Sequence, residues 1–578
     1  MVQPGYIMKS IVLAFIAFCA SAAASAQDAD TLRVVSEDEL IMKSTPTGIR
    51  VETTPEDEMT APPEAPVLNG NPMGVDTLFT ISGRPQTIYA RPASWTYSDP
   101  WWHGMWINTA VYAGAFIGTL FVLECLPEDA TAWNRAELQK DPFYTRWFNN
   151  IFKKGPEWDH DKFIFNYVLH PYAGAAYFMA ARTCGFNFWQ SELFAIGGSA
   201  MWEMCMEREW PSTNDIIATP IGGAALGEVF YRTTDLIIDD RTTGGERLGR
   251  EAAVFVLNPM RGLTRIFSGR AWRHSATTGR QYGIPPISID VSAGARMMAL
   301  WDNDEGAHAG ACAEIKLEYG DKYEENTREP YDYFSFLMEL QAMKSQPVLS
   351  RVEIMGRLLS KEIFTHRHGN LNVGLYQHFD FFDSDTIRPE RDGSKLIPCA
   401  VPYKLASPAS LGGGAIARYV PSPSVNFEGF VHINALILGG VLTDFYRDYH
   451  RNYNWGSGFA VKAGAETSLL HGRLLVRAAN QFYRLYTWQG DDEQGGWSVS
   501  PGVQPNVQGD RSNSTFNHFE TSVSYSLLKR LYLTLGMDMY VRNTHYYRLR
   551  LREGGTEIWG PSIQSKQIGF HLMLTYRI

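Results

Sequence analysis

The stretch VNFEGFVHINALI, residues 425–437, alternates without a break. Val425, Phe427, Gly429, Val431, Ile433, Ala435 and Ile437 fall on one side of an extended chain, and Asn426, Glu428, Phe430, His432, Asn434 and Leu436 fall on the other. A period of two specifies a strand with two unlike faces. One face suits lipid and the other a polar lumen, which is the pattern of a transmembrane barrel strand.

The same pattern recurs on both sides of this strand. Gly369 to Phe381 places Asn370, Asn372, Tyr376, His378 and Asp380 on its inner side. Further on, Phe519, Thr521, Val523, Tyr525 and Leu527 lead into a tight turn near Leu528-Lys529. The alternation resumes with Leu531, Leu533, Leu535, Met537, Met539 and Val541. The chain ends on Ile568, Phe570, Leu572, Leu574, Tyr576 and Ile578, a closing strand of the kind that barrel assembly machinery reads, although Ile578 replaces the usual terminal aromatic residue. Connections alternate between long (Ser384 to Leu396, Gly439 to Asn454, Gln489 to Asn513) and short (Tyr419 to Ser424, His471-Gly472, Leu528-Lys529). Residues 283–578 are therefore expected to form an antiparallel transmembrane β-barrel of about 12 strands, with the long loops outside the cell. A soluble β-sandwich is the rival architecture.

Composition agrees with a barrel. Charged residues make up 20% of the 578 and aromatics 13%, and the mean hydropathy is −0.22. A bundle of inner-membrane helices, each needing about 20 mostly apolar residues, would be more apolar. A net charge of −10 with no basic stripe excludes a nucleic-acid partner. Six cysteines include Cys19; the remaining Cys125, Cys184, Cys205, Cys312 and Cys399 show no paired spacing, so no disulfide framework is expected. A single Cys184 to Cys205 bridge is the one alternative.

The N-terminus reads as an address. Lys9 precedes the apolar run Ile11 to Ala20, and Ala24-Ser25-Ala26 offers a cleavage site, so residues 1–26 are expected to be a signal peptide. Residues 27–98 are acidic and proline-rich and read as a flexible tether in which Thr77 to Ile81 can add a short strand. Residues 99–272 form a helical module, which makes the fold class α+β. It includes the apolar run Ile107 to Leu126, expected to be a helix buried against its neighbours or lodged in the barrel. The segment Pro142 to Trp158 is rich in aromatic rings suited to a membrane interface. Glu251 to Phe267 reads as one amphipathic helix.

Within the module, His170 to Glu228 carries ionisable residues that a plain apolar core would avoid. Asn166 and His170 share a face bent at Pro171; Gly174, Ala175 and Ala176 allow close helix contact. A second helix, about Ser191 to Glu209, sets Ser199, Glu203 and Glu207 at successive i+4 positions. A third begins near Ser212, with Ser212 and Asp215 spaced as a capping box, and is thinned by Gly222, Gly223 and Gly227 before Glu228.

The run His170-Pro171-Tyr172-x-Gly174, Trp202-Glu203 with Glu207, Asp215-Ile216-Ile217, Thr219-Pro220-x-Gly222-Gly223, Gly227-Glu228 and Asn258-Pro259-Met260-Arg261-Gly262 resembles the DUF3943 family of bacterial envelope proteins. The helical motif is more loosely similar to VanZ-type modules. The resemblance spans roughly residues 100 to 270 and implies an envelope location; it assigns no activity and no catalytic residues.

Three readings of the polar set stay open. In an acyl-transfer site on a lipid, His170 is the base, Ser199 the nucleophile, and Glu203 or Asp215 the orienter, although no G-x-S-x-G elbow surrounds Ser199. In a metal or small-ligand site, His170, Glu203, Glu207, Asp215 and Glu228 supply donors, without an H-E-x-x-H signature to name a metal or cofactor. In a packing network, the histidine, two glutamates and an arginine satisfy one another, with Arg182 or Arg208 as the counter-ion; Arg182, Glu207 and Glu228 are equally the candidate ligand-binding groups. The expected role is structural or transport-related in the outer membrane, with the helices plugging the lumen or capping its periplasmic mouth. Its partners are outer-membrane lipid, the barrel assembly machinery and a small-molecule or lipid ligand.

Overall fold

The computed structural model describes residues 156–578 apart from 207–210, 283–284, 301–306, 324–328, 367, 386–400, 446–450, 491–505, 548–549 and 554–555. Before residue 156 it describes only 78–79, 85–86, 114, 117, 125, 148 and 149. The signal peptide, most of the tether, most of the apolar run Ile107 to Leu126 and Glu207 lie outside the described residues. In the tether, Leu78–Phe79 pairs with Pro85–Gln86 in a short antiparallel ladder.

Twelve strands close into one antiparallel barrel. In chain order they are β1 (Ile287–Leu300), β2 (His308–Tyr319), β3 (Phe334–Ala342), β4 (Leu349–His366), β5 (Gly369–Asp383), β6 (Lys404–Ser422), β7 (Val425–Leu442), β8 (Tyr453–Leu469), β9 (Leu474–Tyr486), β10 (Asn513–Leu528), β11 (Leu531–His545) and β12 (Ser562–Arg577). Each pairs with the next, and β12 returns to β1 in a register that sets Leu574 opposite Ala293. Closure removes both sheet edges and excludes the sandwich. Tight turns at 423–424, 470–473 and 529–530 share one end of the barrel with the end of β4, the start of β5, the residues 329–333 before β3, the start of β1 and the end of β12. In the turn at 470–473, Leu470, His471 and Gly472 all take positive φ (54°, 57° and 82°), which lets so short a connection reverse the chain. The longer loops share the opposite end.

The alternation decides which side chains face inward. His432, Asn434 and Leu436 are buried, while Phe427, Val431, Ile433 and Ile437 are exposed on the outer surface. Leu533, Leu535, Val523, Tyr525, Leu527, Phe570, Leu572, Leu574 and Tyr576 extend this apolar belt around β10 to β12, and such a belt needs lipid to cover it.

Among the described residues from 156 on, five helices precede the barrel: α1 (His170–Thr183), α2 (Phe188–Met201), α3 (Thr213–Ile237), α4 (Gly244–Leu257) and α5 (Pro259–Phe267). A π-helical turn, Phe165–Leu169, leads into α1. Pro171 has no N–H for residue 167, and the wider turn just before it absorbs the loss. The single helix expected over Glu251 to Phe267 is two helices. Asn258 leaves helical geometry (φ −136°, ψ 84°), and its side chain accepts from the Arg261 N–H, capping α5, which begins at Pro259. Ser212 precedes α3, but its side chain makes no capping bond; the capping box belongs instead to Asn187 and Gln190 at the start of α2. Cys184 is a free, buried thiol.

The described part of the module neither plugs the lumen nor caps its mouth. It lies against the outer wall of the barrel. On β5, inward His378 and Asp380 alternate with Gln377, Phe379 and Phe381, which face outward yet are buried. Phe163 stacks on Phe381 with ring centroids 5.3 Å apart, and the Gln377 side-chain amide donates to the Ile221 carbonyl at 2.7 Å. Ile354, Val352, Phe336, Met338, Ile315 and Leu317 continue this covered patch across β4, β3 and β2 into one core with Ala175, Phe178, Ala224 and Val229 of the helices. A glycine lets the two parts touch: a Cβ on Gly440 would stand 2.0 Å from the Tyr167 hydroxyl. The physical reason for this placement is that β2 to β8 carry an outward apolar patch matched to the helices, while the lumen is filled with its own charges. Among the described residues, no helix is long and apolar enough to cross a membrane.

Candidate functional site

The helices run side by side along the wall, so their polar residues fall into groups at opposite ends. α1 and α3 meet backbone to backbone: a Cβ on Gly174 would lie 1.9 Å from the Thr219 carbonyl oxygen, and one on Gly223 2.5 Å from the Gly174 carbonyl carbon. This contact fixes His170 at one end and Glu228 near the other.

At the long-loop rim, the segment before α1 pairs with the start of α3. The Glu157 N–H donates to the Pro211 carbonyl at 2.9 Å, and the Thr213 N–H donates to the Glu157 carbonyl at 2.8 Å. The Asp159 N–H donates to Asn214 Oδ1 at 2.9 Å, and the Asp159 carbonyl accepts from Arg451 Nη1 at 3.0 Å. His170 then stands among carboxylates: Nδ1 is 3.7 Å from Asp215 Oδ1 and Nε2 is 3.9 Å from Asp161 Oδ2. Asp215 is buried, Asp161 is half exposed, and the His170 side chain is 25% exposed. Burial disfavours the charged ring, but the carboxylates of Asp215, Asp161 and Asp159 outweigh it and hold the His170 pKa well above its ordinary value. Burial, then repulsion from Asp161, pushes the Asp159 carboxyl up, with His170 opposing.

Ser199 and Glu203 bond to backbone groups beside this cluster. Ser199 Oγ donates to the Asp215 carbonyl at 3.0 Å, and Glu203 Oε2 accepts the Ser212 N–H at 2.7 Å. Both tie the end of α2 to the start of α3.

Glu228 and Arg182 form the second group. Arg182 grips Glu228 with Nε–Oε2 at 2.8 Å and Nη2–Oε1 at 3.0 Å. Arg232 adds a bond to Oε1 at 2.9 Å and reaches the Pro330 carbonyl at 2.8 Å. All three side chains are buried, and Tyr282 bonds Arg182 as well. This network ties α1 and α3 to segment 329–333 and to the approach to β1. Nearby, Asp235 accepts from Arg261 and from the Gln281 and Tyr282 backbone N–H groups.

The sequence reading missed Asp159, Asp161 and Arg232. The signal was there: Asp159-His160-Asp161 puts two carboxylates in the turn before a helix. Read by period alone, the segment yields only its aromatic rings.

The lumen is braced by ion pairs that reach across it. Arg351 of β4 meets Glu520 of β10 at 2.7 Å. The Gln481 amide of β9 meets Glu353 of β4 at 2.9 Å, and Lys462 of β8 meets Asp380 of β5 at 2.5 Å. Arg296 of β1 joins Asp538 at 3.2 Å and also Glu339, while His518 and His571 flank Asp538 at 3.1 and 3.3 Å. Toward the long loops, Phe382, Tyr403, Tyr483, Phe516 and Tyr540 cluster across the bore. A cavity of about 140 Å³ remains, lined by Lys316, Glu318, Glu353, His378, Glu428 and Lys462 among others.

Comparison with known proteins follows from this geometry. Among solved structures, the NanC porin overlaps 50% of this chain and 98% of its own at 9% identity, TM-score 0.23. OmpT, an outer membrane protein of Vibrio cholerae, overlaps 51% and 100% at 7% identity, TM-score 0.20. The outer membrane channel DcaP of Acinetobacter baumannii overlaps 51% and 96% at 10% identity, TM-score 0.18. No curated protein matches the chain. The helices and the rim group fall in a segment of their own: residues 155–260 match the family described as Domain of unknown function (DUF3943).

Proposed function

We propose that this outer-membrane barrel is a scaffold rather than a diffusion pore, holding its helical module against the membrane-facing wall. The observation that carries the reading is the cross-braced lumen: Arg351–Glu520 and Gln481–Glu353 join strands six and five places apart round the ring of 12, and Lys462–Asp380 joins strands three apart. Charged groups that satisfy one another across a bore leave little room for solute. The outer wall, by contrast, is shaped to receive a partner, and that partner is the module.

In this reading residues 1–26 export the chain, β12 is what the assembly machinery engages, and envelope lipid surrounds the belt and the free face of the module. Trp189, Leu193 and Ile196 of α2 are exposed on that face. A lipid acyltransferase or hydrolase is less well supported, because Ser199 is committed to a backbone carbonyl and a protonated His170 donates a proton rather than accepting one.

Single-channel recording of the refolded protein in planar bilayers tests the scaffold. The expected result is no steady conductance in the wild type and its appearance in an Arg351→Ala, Lys462→Ala double variant. A steady open conductance in the wild type would return the lumen to transport.

A further inference from the structure

We infer that the hairpin of α4 and α5, with the turn that follows it, is an anchor seated in the headgroup layer of the leaflet on the short-turn side, its partner a phospholipid surface. The inference rests on the reading that lipid surrounds the belt of the barrel.

The polarity of the hairpin is inside out. A helix pair washed by water turns its apolar stripe inward and its charges outward. Here Arg247, Arg261 and Arg265 are buried, and each finds a carboxylate within the module. Arg261 meets Asp235 at 2.5 Å, Arg265 meets Glu251 at 2.7 Å, and Arg247 meets Glu251 at 3.1 Å. On the outside of α4, Leu248, Ala252, Phe255 and Val256 are exposed at spacings that share one helical face. At the end of α5, Ile266 and Phe267 are exposed as well. Leu248, Phe267 and Trp272 expose 64, 80 and 71% of their surface, and side chains of this size gathered on one hairpin mark a surface that meets another phase.

Charge and rings are ordered along the hairpin. Its closed end, around Phe255 and Val256, exposes no charge, and the exposed charges of residues 244–274 are Glu246, Arg273 and His274, all at the open end. There the chain folds back on itself: the Ala271 N–H donates to the Arg265 carbonyl at 3.0 Å, and the Trp272 N–H to the Gly269 carbonyl at 3.3 Å. Arg247 bonds the Ala271 and Arg273 carbonyls at 3.2 and 3.3 Å, which fixes Trp272 between them. A large amphipathic ring beside exposed cations is the chemistry of a membrane boundary, where the ring lies among the headgroups and the cations meet lipid phosphate.

The fold sets this open end beside an interface already described. Asp235, near the end of α3, accepts the Gln281 and Tyr282 N–H groups, and the Asp240 N–H donates to the Thr278 carbonyl at 2.8 Å. Both contacts lie on the approach to β1, which enters the barrel at the short-turn end. At that end Tyr419, Phe427 and Tyr576 stand exposed on the outer wall, an aromatic girdle of the kind that marks the edge of the hydrocarbon. The exposed residues of α2 are Trp189, Gln190, Leu193, Ile196 and Gly197, none of them charged. The free surface of the module thus passes from uncharged on α2 to rings with cations after α5, the order met on going from acyl chains to headgroups.

The test uses the full-length protein refolded into vesicles of phosphatidylethanolamine and phosphatidylglycerol with a trace of phospholipid that carries a diazirine close to its glycerol. After illumination and digestion, mass spectrometry locates the label. The expected result is label on Phe267 and Trp272 as well as on Tyr576 of the barrel, and loss of the hairpin label, with Tyr576 still labelled, in a Phe267→Asp, Trp272→Asp variant. Label on Tyr576 with none on Phe267 or Trp272 overturns the anchor and leaves water, a soluble protein or a second copy of the chain to cover the hairpin. Hairpin label that persists unchanged in the variant overturns it too. Absence of label from Tyr576 and hairpin alike overturns the membrane reading beneath it, and the anchor with it. None of these readouts depends on whether the lumen conducts.

Discussion

Glu228 is the residue on which the inner half of the module depends. Its carboxylate receives Arg182 and Arg232, all three buried. Glu228→Ala leaves two guanidiniums without their acceptor, and breaking a buried pair in this way costs about 3–5 kcal/mol. A fall in urea midpoint, followed by tryptophan fluorescence, checks it. Gly174 makes a second case: with the Thr219 carbonyl 1.9 Å from any added Cβ, Gly174→Ala must separate α1 from α3 and lose about 1–3 kcal/mol. His170 sets a pH dependence. Its pKa is raised in the folded protein, so the charged ring contributes its full stabilisation below the unfolded value of about 6.5 and loses it as pH rises through the higher folded value. The wild type should therefore unfold at lower denaturant as the medium turns alkaline, and His170→Gln should flatten that trend.

At the level of elements, the packing of α3 on β6 is open to direct trapping. A Cβ on Gly222 would sit 3.1 Å from the Pro408 Cβ, a few tenths of an ångström inside the Cβ spacing of about 3.5–4.5 Å that a disulfide spans. A Gly222→Cys, Pro408→Cys protein should form an internal disulfide that changes gel mobility and reverts with reductant. Failure to cross-link in the folded barrel would mean that the helices lie elsewhere. The strands themselves were legible because a two-residue period survives any tertiary arrangement: Val425 to Ile437 and the hairpin through Lys529 read correctly from pattern alone. The docking of the helices was not legible. Phe379 and Phe381 look the same in sequence whether lipid or a helix covers them. The rim group was half legible, since His170 and Asp215 stood out on helices while Asp159 and Asp161 lay in a turn that carries no period. The i+4 spacing set Ser199 and Glu203 on one face, but spacing does not say what that face meets.

For the whole molecule, the barrel has two kinds of circumference, one apolar toward lipid and one apolar toward protein. Cutting the covered patch should expose it: Phe379→Asp is expected to loosen the module from the wall and open its residues to protease, while the barrel keeps its heat-shifted mobility. Loss of that mobility would mean that module and barrel fold as one unit. The closing seam bears on when the parts come together. The strands that complete the ring, β12 and β1, show Phe570, Leu572, Leu574 and Met297 on the outside, whereas the helices rest chiefly on strands well away from that pair. The ring can thus be sealed while the helices wait alongside, and the chain's first-made domain becomes the last to settle: its partner surface, spread over seven strands, does not exist until the sheet has curved.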